Sequence, residues 1–131
     1  MSPVYDYKFL LASALALTDA VYSTNQVNFG VANPNPGKSG MFGLHIVVTT
    51  SFGTLTSGAI IWVMHGAAED PTTKHMGRFF TAAQLVAGKH YFIPCGHTLL
   101  QYARARFDKV TEDASAGAAT MWFGPDEDGA E

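Results

Sequence analysis

Apolar and polar residues follow each other in short runs along the chain, and few segments have apolar residues at the spacing of an α-helix. The runs are rich in Val, Ile, Thr and aromatic residues and are separated by clusters of Gly, Pro and Asn, a pattern typical of β-strands joined by turns. The sequence therefore predicts an all-β chain folded as an antiparallel β-sandwich. The predicted strands cover residues 20–23, 26–30, 41–50, 58–65, 77–81, 90–93, 99–107 and 118–123.

The segments between the strands predict one loop and one short helix. Residues 33–40 contain two prolines and two glycines, which remove hydrogen-bond donors and admit positive φ, as a loop requires. Residues 82–87 are expected to form a short helix, with Thr81 as the N-cap and Gly88 just beyond the C-terminal end. The predicted organisation is an extended N-terminal arm at 1–17, a sandwich domain at 18–124 and an acidic tail at 125–131.

The two longest predicted strands have no plainly polar face. In 41–50 one face carries Leu44, Ile46 and Val48, while the other carries His45 and Val47. Residues 59–65 repeat this pattern. A sandwich strand with one face in water should alternate apolar and polar residues, so we expect the second faces to be covered, either by partner subunits or by other parts of the chain.

Charge is scarce and unevenly placed. Charged residues make up 15% of the chain, against about 25% in ordinary soluble proteins. The formal net charge is −3, but the tail holds four of the eleven acids and no base, so the remainder, with eight bases and seven acids, carries +1. No basic stripe is present to follow a phosphate backbone, and no nucleic-acid partner is predicted.

Length and cysteine content favour one domain that folds without disulfides. The chain has 131 residues and a single cysteine, Cys95, and a domain of this size buries enough surface to be stable alone. The apolar run at 9–17 is shorter than the roughly 18 residues that span a bilayer. It also lacks a net-positive leader, because Asp6 offsets Lys8. We expect no membrane association.

No pattern of catalytic or metal-ligating residues stands out. His90, Cys95 and His97 lie close in sequence, but their spacing matches no zinc motif. His45 and His65 lie in predicted strands and could face each other across a ladder; their expected role is that of satisfied sheet histidines or of a pH-sensitive contact. No nucleophile motif, acid pair in a strand or phosphate-binding loop is found. No catalytic residue, cofactor, metal or small-molecule substrate is therefore predicted, and the chain is not expected to be an enzyme.

Two surface interpretations remain open. Arg104 and Arg106 share one face of a predicted strand with Tyr102, which suits either an acidic neighbour or a solvated face. The aromatic residues alternate with aliphatic ones, which favours a core role, while a sugar-stacking platform is the alternative.

The order of segments resembles a known family. The start of the chain reads Asp6-x-x-x-Leu10, then residues 14–18, then Val21-x-Ser23-Thr24-Asn25-x-Val27-Asn28-Phe29-Gly30. Later segments are the strand at 44–50, Thr81-Ala82-Ala83-x-Leu85-x-Ala87-Gly88, Tyr102-x-Arg104, and a turn at 115–117. Together, over about residues 5 to 124, these segments resemble the capsid cement proteins of tailed phages. Asn28 departs from the family, which tends to have an acid there.

The resemblance implies a structural function. Members of this family are trimeric jelly rolls that decorate the head and stabilise it by bridging major capsid protein subunits. It therefore implies a homotrimer on the outer surface of the virion, made in the host cytoplasm. The alternative is a jelly-roll module that binds glycans or a host surface. The candidate subunit or capsid contacts are Tyr5, Tyr7, Phe9, Leu10, Leu11, His45, Val47, Trp62, Met64, Arg104 and Arg106.

Overall fold

The structure is a computed structural model and describes residues 10–16, 21–29, 42–53, 57–95, 100–110 and 116–125. The predicted loop at 33–40 and residues 126–131 of the acidic tail lie outside this set. The described residues form nine strands and no helix. They therefore include no helix that is long and apolar enough to cross a membrane. The strands are β1 (Leu10–Ala16), β2 (Val21–Tyr22), β3 (Val27–Asn28), β4 (Phe42–Thr50), β5 (Ala59–Gly66), β6 (Thr73–Phe80), β7 (His90–Pro94), β8 (Tyr102–Lys109) and β9 (Ala118–Pro125).

The strands form two antiparallel sheets, which confirms the predicted all-β sandwich. Sheet A has the order β1-β9-β4-β7, and sheet B has the order β2-β8-β5-β6. Strand β3 also pairs with β8. Between β2 and β3, the Ser23 amide donates to the Ala105 carbonyl and the Ala105 amide donates to Ser23 Oγ. Strands β2 and β3 thus act as two halves of one interrupted edge strand along β8.

The pairing of the strands is nested along the chain. The first strand pairs with the last, β2 and β3 pair with β8, β4 pairs with β7, and β5 pairs with β6. The pairs β4–β9 and β5–β8 then join these units into the two sheets. The chain therefore runs outward and back like one long hairpin that has been rolled into two layers.

The core lies between the sheets and follows from the alternation within each strand. Leu44, Ile46 and Val48 of β4 point inward from sheet A, and Ala59, Ile61 and Val63 of β5 point inward from sheet B, all almost fully buried. Small alanines in β8 leave room for large rings from other strands. The aromatic side chains in the core are Phe52, Phe80, Tyr91, Phe107 and Phe123.

Strand β1 corrects the predicted N-terminal arm. Residues 10–16 pair with β9, and Leu11 is fully buried in the core. The sequence LLASALA hides the strand because its small residues blur the alternation, and two register irregularities interrupt it further. The sandwich therefore includes these seven residues, while residues 1–9 lie outside the described chain.

The predicted helix at 82–87 is wrong, because the chain forms turns there. Leu85 is fully buried in the core, and its amide donates to both the Thr81 and Ala82 carbonyls, at 3.3 and 3.2 Å. The Tyr91 hydroxyl donates to the Gln84 carbonyl, which ties the turn to β7. Anchoring by Leu85 and Tyr91 stops the helical pattern after one turn, and Gly88 has the positive φ of +94° expected of it.

The bounds of β6 and β8 differ most from the sequence prediction. Strand β6 begins at Thr73 instead of residue 77, and β8 runs from Tyr102 to Lys109 instead of 99–107. The early part of β6 is polar and exposed, so it resembles a loop in sequence although it pairs with β5.

Candidate interaction surface

The outer face of sheet B carries alternating cationic and aromatic side chains. Strand β8 turns its alanines and Phe107 toward the core, so its other residues face outward beside the outward residues of β5. Tyr22, paired opposite Arg106, extends this face onto β2. The outer face of sheet B comprises Tyr22, Ile60, Trp62, Met64, Lys74, Gly77, Phe79, Tyr102, Arg104, Arg106 and Asp108.

The two arginines are held by contacts within the chain. The Arg104 guanidinium lies 3.6 Å from the centre of the Tyr22 ring and Arg106 lies 4.8 Å from it. Arg104 also donates through Nε to the Pro71 carbonyl at 3.0 Å, and its side chain is 13% exposed. Because the cations stack on one ring and are already bonded, they brace strand β8 against β2 and the 67–71 turn.

Arg106 has a carboxylate partner two residues along the same strand. Its Nε lies 2.9 Å from Asp108 Oδ1. The hydrogen bond to Asp108 raises the pKa of Arg106 further, with a smaller contribution from Tyr22. The predicted stripe of Arg104 and Arg106 therefore lies on an outward face, but its charges are largely balanced inside the chain.

Trp62 covers a glycine on the neighbouring strand. A Cβ at Gly77 would lie 2.4 Å from Trp62 Cε3, so the indole rests on the bare backbone of β6. The Lys74 ammonium lies 4.6 Å from the ring centre. Trp62 Nε1 is buried with no hydrogen-bond partner among the described residues, a state that costs about 1–3 kcal/mol.

Strand β6 presents the most open apolar surface of the described chain. It lies at the edge of sheet B, and its Met76 and Phe79 are 40% and 51% exposed. Its eight residues include Lys74 and Arg78 and no acid. Lys74 and Phe79 lie on the outer face of sheet B beside Ile60 and Trp62, whereas Met76, opposite Val63, lies on the other side of this edge strand. We call these exposed residues of the edge, Lys74, Met76 and Phe79, together with Ile60 and Trp62, the β6 surface. A long edge strand with exposed apolar side chains is a typical template for contact with another chain.

The outer face of sheet A is closed at its centre. His45 is fully buried although it points away from the core. It stacks on Trp122 with centroids 5.0 Å apart and an interplanar angle of 5°, and its Nδ1 lies 2.9 Å from His90 Nε2. His45 does not face His65, the arrangement that the sequence left possible, because the two histidines lie in different sheets.

The predicted contact residues fall into three groups. Tyr5, Tyr7 and Phe9 lie outside the described residues. Leu11, His45 and Met64 are buried within the chain. The others are half-buried at the outer faces of the sheets, Leu10 and Val47 on sheet A and Trp62, Arg104 and Arg106 on sheet B.

Sequence reasoning missed the three exposed residues of the β6 surface. Lys74 and Met76 lie before the predicted strand at 77–81, and the sequence pattern places Phe79 in that strand without marking it as exposed. The signal available was the run Thr73-Lys74-His75-Met76-Gly77-Arg78-Phe79-Phe80, in which three large apolar residues accompany basic residues. That composition suits a solvated edge strand.

The candidate metal residues are not brought together. His90 contacts His45, whereas Cys95 lies beyond the other end of β7, and His97 lies outside the described residues. Burial raises the pKa of the Cys95 thiol to about 12. No group of three or more His, Cys, Asp or Glu side chains suited to a metal occurs among the described residues.

Comparison with known proteins adds no relative. No protein-family model and no curated protein matches this chain.

Proposed function

We propose that this protein is a jelly-roll cement protein that binds the outside of a tailed-phage capsid and stabilises the shell by bridging major capsid protein subunits. The nested strand pairing supports the jelly-roll part of the proposal, since β1-β9-β4-β7 and β2-β8-β5-β6 are the two four-strand layers that a rolled hairpin produces, with β3 continuing β2 along β8. The order of sequence segments supports the capsid part.

The β6 surface is the observation that carries the binding function. Most large apolar side chains of the described residues are buried, but Met76 and Phe79 are left open on one edge strand. Lys74 and Arg78 leave β6 with positive charge and no acid. Pairing β6 with its own copy would bring like charges together, so a neutral or acidic segment of another subunit suits it better.

A binding assay tests this function with a matched control. Heads assembled from the major capsid protein encoded with this chain are mixed with the purified protein, and bound protein is measured after pelleting. The double variant Met76→Ser/Phe79→Ser is expected to lose at least about tenfold in affinity, because exposed apolar anchors at an interface are each worth about 1 kcal/mol or more. Val110→Ser serves as the control, since Val110 is 46% exposed but lies beyond the end of β8.

Two outcomes would replace the proposal. Wild-type protein that is monomeric and does not bind expanded heads would exclude both the cement function and the trimer. Binding on a glycan array that is lost on Phe79→Ser, without binding to heads, would favour the glycan-binding alternative, because Phe79 is the most exposed aromatic residue described.

A further inference from the structure

Two histidines form a stacked pair at one end of sheet B. His65 of β5 and His75 of β6 have ring centroids 4.3 Å apart and an interplanar angle of 29°. His75 lies at the register irregularity between β5 and β6, where one extra residue of β6 faces its partner strand. This bulge turns the His75 ring onto His65.

Each ring also holds a backbone group from another part of the chain. The Leu100 amide donates to His65 Nδ1 at 3.3 Å, and His75 Nε2 donates to the Cys95 carbonyl at 2.6 Å. Cys95 directly follows β7 and Leu100 lies two residues before β8. We call this arrangement the histidine clasp. It joins the β5–β6 hairpin to the end of one strand in sheet A and to the approach to one strand in sheet B.

The two hydrogen bonds respond differently to a proton. His65 Nδ1 accepts from an amide, so it must be bare and its ring neutral. A proton on Nδ1 would place two N–H groups against each other and break the bond to Leu100. His75 donates from Nε2 in both its neutral and its charged form, so it keeps its hydrogen bond to the Cys95 carbonyl in either state. Protonation of His65 therefore affects the Leu100 side of the clasp alone.

The surroundings disfavour a charge on His65. Burial lowers the pKa of His65 below its ordinary 6.5, and the neighbouring His75 lowers it further. The charged side chains on adjacent segments are Lys74 on β6, Arg104 on β8, and Glu69 and Asp70 in the turn after β5. Asp70 is engaged by Arg104 and Gln26, and the Cys95 thiol is neutral.

We propose that the histidine clasp is a pH-sensitive link, closed at Leu100 while His65 is neutral and opened there when His65 gains a proton. The sign follows from the pKa of His65. Because it lies below the unfolded value of 6.5, the unfolded chain takes up this proton first. The stabilisation from the clasp is complete above pH 6.5 and is lost as the pH falls from there through the folded pKa.

Amide exchange and a ring titration on the intact protein test the clasp. The His65 ring is titrated between pH 7.5 and 4 by ¹⁵N NMR, and protection of the Leu100 amide is measured over the same range after correction for the intrinsic exchange rate. The expected result is a loss of Leu100 protection of about 2- to 10-fold that follows the His65 titration, the size of one hydrogen bond. The Ala105 amide, bonded to Ser23 Oγ, provides a distant reference and should keep its protection.

Two variants separate the clasp from a general acid effect. His65→Phe retains a ring but no acceptor, so Leu100 should be poorly protected at every pH with no step. His75→Gln retains a hydrogen-bond donor but cannot carry a positive charge beside His65. The titration of His65 and the loss of protection of the Leu100 amide should therefore both move to higher pH. Leu100 protection that stays constant while His65 titrates, or that falls together with Ala105, would overturn the proposal even if His65→Phe failed to fold.

Discussion

Trp62 and Gly77 show how one residue decides what its neighbour can be. Glycine normally weakens a strand because its backbone is freer in the unfolded chain. Here the indole of Trp62 occupies the space that a Cβ at position 77 would need, within 2.4 Å. The ring covers exposed backbone of an edge strand, a device that restores apolar contact where the glycine has no side chain.

Gly77→Ala should therefore destabilise the protein, although alanine is usually preferred to glycine in a strand. The added methyl group must displace the Trp62 ring, and overpacking of this kind costs about 1–3 kcal/mol. Urea unfolding followed by far-UV circular dichroism would measure the change in the free energy of unfolding.

The control for this prediction is Gly77→Ala in a protein whose Trp62 indole has been removed. In a Trp62→Ala background, Gly77→Ala should be neutral or stabilising by up to about 1 kcal/mol, because only the backbone effect remains. An equal loss in both backgrounds would show that the two residues do not interact.

Which residues share a face can be predicted from the sequence of a strand, but their partners on neighbouring strands cannot. Period-two alternation places Arg104 and Arg106 together, and the structure confirms it. That both stack on Tyr22 depends on β2 pairing with β8, more than 80 residues later by number. The same limit applies to His45 and His65. Consecutive strands β4 and β5 belong to opposite sheets, which local patterns do not reveal.

At the scale of an element, strand β1 is the largest departure from the sequence prediction. A free arm would tolerate substitution, whereas β1 places Leu11 fully in the core. Leu11→Ala is therefore expected to lower the free energy of unfolding by about 2–5 kcal/mol, the range for a buried leucine that leaves a cavity. Thermal or urea unfolding would measure it.

Leu10→Ala is the matched control, because Leu10 is half-buried at the outer face of sheet A. It should cost clearly less than Leu11→Ala, since less apolar surface is removed from contact. Equal and small effects of the two changes would mean that β1 does not contribute to the core.

The elements that could be predicted are those with strong apolar alternation. The bounds of strands β4, β5, β7 and β9 are predicted to within two residues at each end because their inward residues are apolar and regularly spaced. Strand β1 has small residues and irregular register, and the first half of β6 is polar and exposed. Both are held by pairing to a neighbour instead of by their own pattern, so their sequences carry little signal. The predicted helix at 82–87 is wrong for a related reason, because the anchoring of Leu85 in the core outweighs the helix propensity of the segment.

At the scale of the whole molecule, the nested pairing brings the two ends of the described chain together. Strand β1 completes sheet A by pairing with β9, which lies between β1 and β4. Every sheet contains strands from both halves of the sequence, so neither half can form its layer alone. The candidate site shares this property, because β6 is positioned by β5 and β5 in turn by β8. The residue patterns predict that the second faces of the long strands are covered. Only the assembled sheets show that the centre of the outer face of sheet A is buried, whereas sheet B has exposed apolar side chains at β6.

The proposed homotrimer is a prediction about this whole assembly. A single chain has a mass of 14.0 kDa, so sedimentation equilibrium should find a species of three times that mass, and closed rings of identical subunits are a common form of oligomer. The Met76→Ser/Phe79→Ser variant then assigns the β6 surface. Loss of the trimer would place that surface between copies, whereas a trimer that no longer binds heads would place it against the shell. A wild-type monomer that binds heads would refute the trimer and leave the cement function standing, since the edge strand of one chain is sufficient to contact a neighbouring subunit.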